Sequence, residues 1–260
     1  MIELRAMSKV FNPGIDGEIH ALRNVTLTVP RGQWCNILGP NGSGKSTLLR
    51  LLAGDLQPTS GDMLVDGRSI LREGPARRAR MFFFVEQDTR ANLVPSMTIQ
   101  ENLLLALTSS RFPGLGMARR KVRRARIEEA LARLGMGLET RLDTQVRLLS
   151  GGERQGVVIA KALVTASPVL LLDEFLGAMD PRVGPILLRT TRQLAESEHL
   201  TVLSVTHNLE QVMMNGEKNG RVVLLRQGEI VQDIALAEIP SMEWLIQQYG
   251  GLVHSVEAQK

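Results

Sequence analysis

Apolar and charged residues alternate through residues 2–7 (IELRAM) and 19–29 (IHALRNVTLTV), with the turn-rich NPGIDGE between them. Period-two alternation puts one face on a core and one in solvent, so these stretches read as an antiparallel pair at the edge of a larger sheet. Residues 33–38 (QWCNIL) form a short apolar run that stops at a glycine, as a strand buried on both faces does. MLVDG (63–67), MFFFVEQ (81–87), VLLLDE (169–174) and TVLSVTH (201–207) read as further strands, and RVVLLRQGEIVQD (221–233) as a closing hairpin.

Helical spacing appears elsewhere. KSTLLRLLAG (45–54) sets Leu48, Leu49, Leu51 and Leu52 on one helix and ends at Gly54, a residue suited to the turn past a helix end. Residues 88–166 lose the strand pattern altogether. TIQENLLLAL opens with the capping box Thr98 and Glu101, ARRKVRRARIEEALARLG is a charged helix ending at Gly135, and GERQGVVIAKALV is another helix. A helix over 181–198 starts with proline in its first turn. The tail SMEWLIQQYG places Met242, Leu245, Ile246 and Tyr249 on one helical face. Together the pattern predicts an α/β fold. Residues 1–87 and 167–238 form the core with an antiparallel β subdomain at its edge, 88–166 a helical insertion, and 239–260 a C-terminal helix and tail.

Composition narrows the possibilities. With 260 residues and 43% hydrophobic positions, a sizeable core can form, as one large domain with an appendage or as two compact ones. Aromatics at 3% argue against stacking platforms for single-stranded nucleic acid, and a net charge of +4 does not demand a polyanionic partner. No nucleic-acid partner is expected. The single cysteine, Cys35, excludes an internal disulfide and fits a reducing compartment. The first residues lack the apolar segment of a secretory signal, and no apolar run approaches the roughly 18 residues of a membrane span. Any membrane role is expected to come through a partner.

Two stretches carry phosphate chemistry. Residues 39–47, GPNGSGKST, match the Walker A pattern between a strand and a helix. Gly39, Gly42 and Gly44, with Pro40, Asn41 and Ser43 between them, let the backbone wrap close to phosphate oxygens with N–H groups pointing inward, and Thr47 follows in the helix. Lys45 would neutralise phosphate charge, and the Ser46 hydroxyl would ligate Mg²⁺. VLLLDE supplies Asp173 as a second magnesium-directed group at the end of a buried strand, and Glu174 as a base for attacking water. A second stretch, LSGGE, lies a hundred residues further on. Its simplest reading is a capping box of Ser150 and Glu153. Two glycines in the first turn, Gly151 and Gly152, are costly for that purpose alone, about 1 kcal/mol each against alanine. Close approach to a ligand's phosphates would offset the cost.

The order Walker A, Gln87, LSGGERQ, LLLDE, Asp180 and His207 resembles the ATP-binding cassette (ABC) ATPases over nearly the whole chain. The resemblance implies a P-loop NTPase (RecA-like) core that binds ATP with Mg²⁺ and hydrolyses it. It implies a head-to-tail dimer, most simply of two copies, in which Ser150, Gly151 and Gly152 grip the nucleotide held by the partner. By the same resemblance Gln87 contacts Mg²⁺ or water, His207 contacts the γ-phosphate, Asp180 belongs to the loop after Walker B, and Phe11 stacks on adenine unless it is core. Phe175, Leu176, Gly177, Met179 and Gly156 depart from the family's usual residues. The spacing between Gln87 and Leu149 leaves no room for the long coiled coils of repair ATPases. FNPG, GLETRLDTQVRLLSGG and VTHNLEQVMMNG resemble bacterial small-solute uptake ATPases, those for aromatic amino acids or related compounds above all. That implies an integral membrane permease, an extracytoplasmic solute-binding protein, and a peripheral place on the cytoplasmic face of the membrane. Leu93, Val94 and Met97 are candidates for a groove that takes a permease helix. A soluble cassette ATPase and an exporter ATPase are the alternatives. The basic run 119–126 reads as a solvated helix face or as a contact for lipid head groups.

Overall fold

The computed structural model describes residues 1–109, 117–177, 179, 182–214 and 220–257. Strands β1 (Ile2–Phe11), β2 (Ile19–Val29), β4 (Ser60–Val65) and β5 (Arg68–Ser69) form an antiparallel sheet in the order β2-β1-β4-β5. Strands β3 (Trp34–Leu38), β6 (Phe82–Val85), β7 (Val169–Asp173), β8 (Thr201–Val205), β9 (Gly220–Arg226) and β10 (Glu229–Ala235) form a second sheet, ordered β10-β9-β3-β8-β7-β6. All of its pairings are parallel except the β9–β10 hairpin at one edge. The helices are α1 (Lys45–Ala53), α2 (Pro75–Met81), α3 (Ile99–Ser109), α4 (Met117–Ala132), α5 (Gly151–Thr165), α6 (Gly184–Ser197), α7 (Leu209–Met214) and α8 (Met242–Glu257).

The first two strands do not extend the larger sheet; with β4 and β5 they form, as a sheet of their own, the antiparallel β subdomain expected at the edge of the core. β1 is paired on both sides, with β2 and β4, so its hydrogen-bonding edges are used within a sheet of its own. The two sheets are tied by the Arg23 N–H to the Gly228 carbonyl (2.8 Å) and by Arg221, which donates to the Thr28 carbonyl (2.6 Å) while paired with Asp233.

The central parallel strands β3, β7 and β8 are buried throughout, and alternate residues serve opposite cores. Leu170 and Leu172 face a core shared with Leu103, Ile127 and Val158 of the helical block. Leu171 and Leu203 face the other, with Leu48 and Leu52 of α1 and Leu4 and Leu27 of the antiparallel sheet. Helix α1 thus lies between the sheets, its start fixed by β3.

Helix α2 has no apolar stripe and was not predicted. Its buried residue is Arg78, 1% exposed, whose guanidinium donates to the carbonyls of Leu51 (3.1 Å), Leu52 (2.8 Å) and Ile70 (3.1 Å). Two of those carbonyls belong to the last turn of α1, which lacks intrahelical partners. In α8, Leu245 is fully buried and Trp244 and Tyr249 pack beside it, whereas Ile246 is half exposed, so the buried face is rotated from the predicted one. The side chains described in the basic run 119–126 include an Arg124–Glu128 pair one turn apart.

Candidate nucleotide site

The C-terminal ends of β3, β7 and β8 open on the same side of the sheet, where ligands of parallel α/β folds bind. The loop after Leu38 turns at once into α1. Gly44 has φ 104° there, and a Cβ on it would lie 2.3 Å from the Ala21 carbonyl oxygen. A Cβ on Gly39 would lie 2.1 Å from the Leu225 carbonyl oxygen. The loop is therefore pressed against β2 and β9, and the Gly228 N–H also donates to the Ser43 carbonyl (3.0 Å). Asn41 and Gly42 are exposed, Pro40 is buried and Thr47 half-buried. The buried Ser43 hydroxyl has no protein partner, so it is free to meet a phosphate oxygen.

Lys45 is buried, and its ammonium donates to the carbonyls of Gly39 (2.8 Å) and Pro40 (2.9 Å). Burial pushes it below the usual lysine range, opposed by the carboxylates of Glu174 and Asp173. The Ser46 hydroxyl donates to Asp173 Oδ1 at 3.1 Å. Burial raises the Asp173 carboxyl, with the Ser46 bond acting against it and Glu174 with it. Among the described residues no cluster of three or more acidic, histidine or cysteine side chains makes a metal cage. One carboxylate beside one hydroxyl is instead the sparse, hard oxygen set that suits magnesium completed by phosphate and water.

Glu174 follows β7 with φ 46°, unusual for a residue with a side chain. The turn is held by its N–H to the Val205 carbonyl (3.0 Å) and by the Gly177 N–H to its own carbonyl (2.8 Å). Its carboxylate stands 3.4 Å from His207 Nδ1, and the two share a cavity with Asn36, Thr206 and Gln211. His207 itself is mostly exposed. The segment after it is fixed by the Thr206 hydroxyl, which donates to Gln211 Oε1 (3.1 Å), and by Asn208 Oδ1, which accepts from the Gln211 N–H (3.1 Å).

Lys45, Ser46, Asp173, Glu174 and His207 therefore belong to one site. Gln87 is exposed and lines a different cavity, with Gly151, Arg154, Gln155 and Phe175. Ser150 caps α5 by the predicted box: its Oγ accepts from the Glu153 N–H (3.3 Å), and Glu153 Oε2 accepts from the Ser150 N–H (2.7 Å). The amides of Gly151 and Gly152 lie between them at the helix mouth. A Cβ on Gly152 would meet Val183 Cγ1 at 2.6 Å, so an intrachain contact explains that glycine, whereas a Cβ on Gly151 would meet nothing. Phe11 ends β1 half-buried, with Lys9 Nζ 5.0 Å from its ring centre. Asp180 lies outside the described residues.

Lys161 and Asn92 carry no motif. Lys161, on α5, donates to the Asn92 carbonyl at 2.5 Å, and the Asn92 side chain bonds the Glu86 N–H (3.1 Å) and Phe84 carbonyl (2.7 Å). This ties the second glycine-rich helix to the chain around Gln87. The lone lysine in the apolar stretch VVIAKALV was the available signal. Gln155 is 2% exposed with its amide nitrogen unpartnered. Leu93 is buried in the core and Met97 half-buried, which leaves only Val94 of the three proposed groove residues open to a partner.

A glycine-rich strand–helix loop with a buried lysine, a hydroxyl–carboxylate pair suited to magnesium and a second carboxylate beside it, all at one end of this sheet, are the layout of a nucleotide-hydrolysing P-loop protein. The ABC transporter family profile matches residues 22–177, and the chain belongs to that family. It is 32% identical over 235 residues to the tyrosine transport ATP-binding protein of Clostridioides difficile, covering 90% of this chain and 92% of that one. It is 38% identical to the sulfate/thiosulfate import ATP-binding protein CysA of Synechococcus elongatus, across 92% of this chain and 63% of the relative. Among solved structures, the dimeric ATP-binding cassette MJ0796 in a post-hydrolysis state with ADP and Pi has a TM-score of 0.78 and 30% identity, over 91% of this chain and 99% of that one. No described helix is long and apolar enough to cross a membrane.

Proposed function

We propose that this chain is the ATP-hydrolysing subunit that powers uptake of a small solute through an integral membrane permease. Two copies close head to tail around two ATP molecules. The observation that carries this reading is the split of the phosphate machinery. Lys45, Ser46, Asp173 and Glu174 gather at one sheet end, while the open helix mouth at Gly151 belongs to a different cavity of the same chain. The relatives named for tyrosine and sulfate transport support the importer assignment.

The backbone N–H groups of the 39–47 loop, Pro40 excepted, cradle the phosphates, and Lys45 moves from its carbonyl partners to them. Ser46 and Asp173 would hold Mg²⁺, which when bound would neutralise phosphate charge. Glu174 takes the proton of the attacking water, and His207, beside it, contacts the γ-phosphate. Gln87 reaches metal or water from the loop that joins the core to the helical subdomain 88–166. Phe11 stacks on adenine, and Asp180 contributes to the loop after Walker B. Ser150, Gly151 and Gly152 close over the partner's ATP. The permease docks near Val94, so the subunit sits peripherally on the cytoplasmic face, and an extracytoplasmic solute-binding protein delivers the solute.

Mixed subunits test the arrangement. Lys45→Ala and Ser150→Arg proteins should each be inactive alone. Mixed dimers keep one composite site intact and should regain part of the ATPase activity. Glu174→Gln introduced into the intact site's catalytic subunit should remove that regained activity again. No recovery in verified mixed dimers would refute the shared site.

A further inference from the structure

The carbonyl oxygen of Gly39 has two donors. One is Lys45 Nζ at 2.8 Å; the other is the hydroxyl of Tyr249 at 3.4 Å, from α8. Gly39 is buried, so its carbonyl relies on protein partners. Helix α8 is seated firmly enough to hold this contact. Leu245 is fully buried with Leu38, the residue before Gly39, and with Leu224 of β9. Gln248 Oε1 accepts from Gln232 Nε2 of β10 (2.9 Å). The same apolar cluster takes in Val212 of α7, the helix that follows His207. Burial raises the Tyr249 phenol above its usual value and the Glu174 carboxylate raises it further, so the hydroxyl remains a donor at neutral pH.

We propose that Tyr249 is a positioning residue for the phosphate loop, which holds the Gly39 carbonyl while Lys45 turns to the nucleotide. ATP competes with Gly39 and Pro40 for the Lys45 ammonium. Each carbonyl that Lys45 leaves must find another donor or remain unpaired in a buried place. Tyr249 supplies that donor at Gly39, so the C-terminal helix lowers the cost of releasing Lys45. The same contact fixes the first residue of the loop relative to β9 and α7. The inference rests on the ATPase reading.

The test uses the full chain, with Tyr249→Phe, which keeps the ring and removes the hydroxyl, and Gln248→Ala, which loosens α8 without touching the loop. Calorimetric titration with Mg·ATP and steady-state hydrolysis are measured for each. Tyr249→Phe is expected to raise the ATP Kd and KM on the order of 3- to 10-fold, the worth of one hydrogen bond, with kcat within about twofold. Its urea midpoint should match the wild type, and Gln248→Ala should bind ATP like the wild type. An unchanged Kd in Tyr249→Phe overturns the proposal, and so does an equal rise in Gln248→Ala, which would make the effect one of helix docking. Wild-type hydrolysis beside an insensitive Tyr249→Phe sinks this inference and leaves the ATPase reading standing. A wild-type chain that binds no ATP sinks both.

Discussion

Replacing Gly151 with alanine separates two reasons for a glycine at a helix mouth. A Cβ there meets no atom of this chain within 4 Å, and Gly151 starts α5 with a negative φ that any residue adopts. Judged by the monomer alone, alanine is the better residue, by up to about 1 kcal/mol of helix propensity and less in a first turn. Judged by a composite site, the methyl group stands where a partner's phosphate approaches the amides. A displacement of about 1 Å in such a site lowers the rate on the order of 100-fold. Gly151→Ala should therefore unfold at equal or higher urea concentration than the wild type, yet hydrolyse ATP far more slowly at saturating Mg·ATP. Gly152→Ala is the wrong probe, because its methyl would lie 2.6 Å from Val183 Cγ1 and confound packing with binding. Hydrolysis by Gly151→Ala within about twofold of the wild type would refute the ligand argument for that glycine.

Two further substitutions test what holds the site in place. Arg78→Met keeps the bulk of the stem but removes three donors from buried carbonyls, two of them at the end of α1. Bonds from a charged donor stabilise by about 1.5–3 kcal/mol each, offset by relief of a buried charge, so a net loss of about 2–4 kcal/mol is expected in urea denaturation; a loss under about 1 kcal/mol would contradict the accounting. Glu153 is held below its ordinary value of 4.5, first by the Ser150 N–H and then by the Ser150 hydroxyl and Arg141, against some desolvation. A depressed carboxyl stabilises the fold above the unfolded-state value, and that contribution fades as pH falls from about 4.5 through the lower folded-state value. Thermal unfolding of Glu153→Gln between pH 7 and pH 3 should therefore show a shallower acid loss than the wild type, and parallel curves would refute the linkage.

The strand–loop–helix turn at 39–47 was legible because close packing restricts residue types. Only a glycine fits at residue 44 against the Ala21 carbonyl, Lys45 beside it rests on the carbonyls of Gly39 and Pro40, and the buried run before Asp173 identifies its strand. The parallel strands were legible for a related reason, since burial on both faces leaves continuous apolar runs. What escaped was whatever depends on long-range pairing. That β1 lies between β2 and β4 in a sheet of its own is a matter of partners, not of alternation. Helix α2 escaped because its buried residue is an arginine, which by composition reads as surface. Tyr249 and Lys161 escaped because each lies in a helix whose pattern reads as packing, and only the fold brings their polar ends to Gly39 and Asn92.

The departures from the family's usual residues find a physical account at the same helix. A Cβ on Gly156 would lie 2.7 Å from Met136 Sδ and 3.4 Å from Leu138 Cδ1, so α5 runs close against the 136–138 turn. An arginine at 156 needs that turn to retreat, or a smaller residue at 136. Glycine and methionine here are a matched pair, with the bulk moved from the helix to the turn. One turn earlier, a Cβ on Gly152 would meet Val183 and lie 3.8 Å from Met179 Sδ. The methionine at 179 therefore rests on the first turn of α5. Movement of the segment after Asp173 would thus be felt directly at Gly152, and through Lys161 and Asn92 at the chain beside Gln87. The unusual residues at 156 and 179 thus both bear on the packing of α5, at successive turns of the same helix.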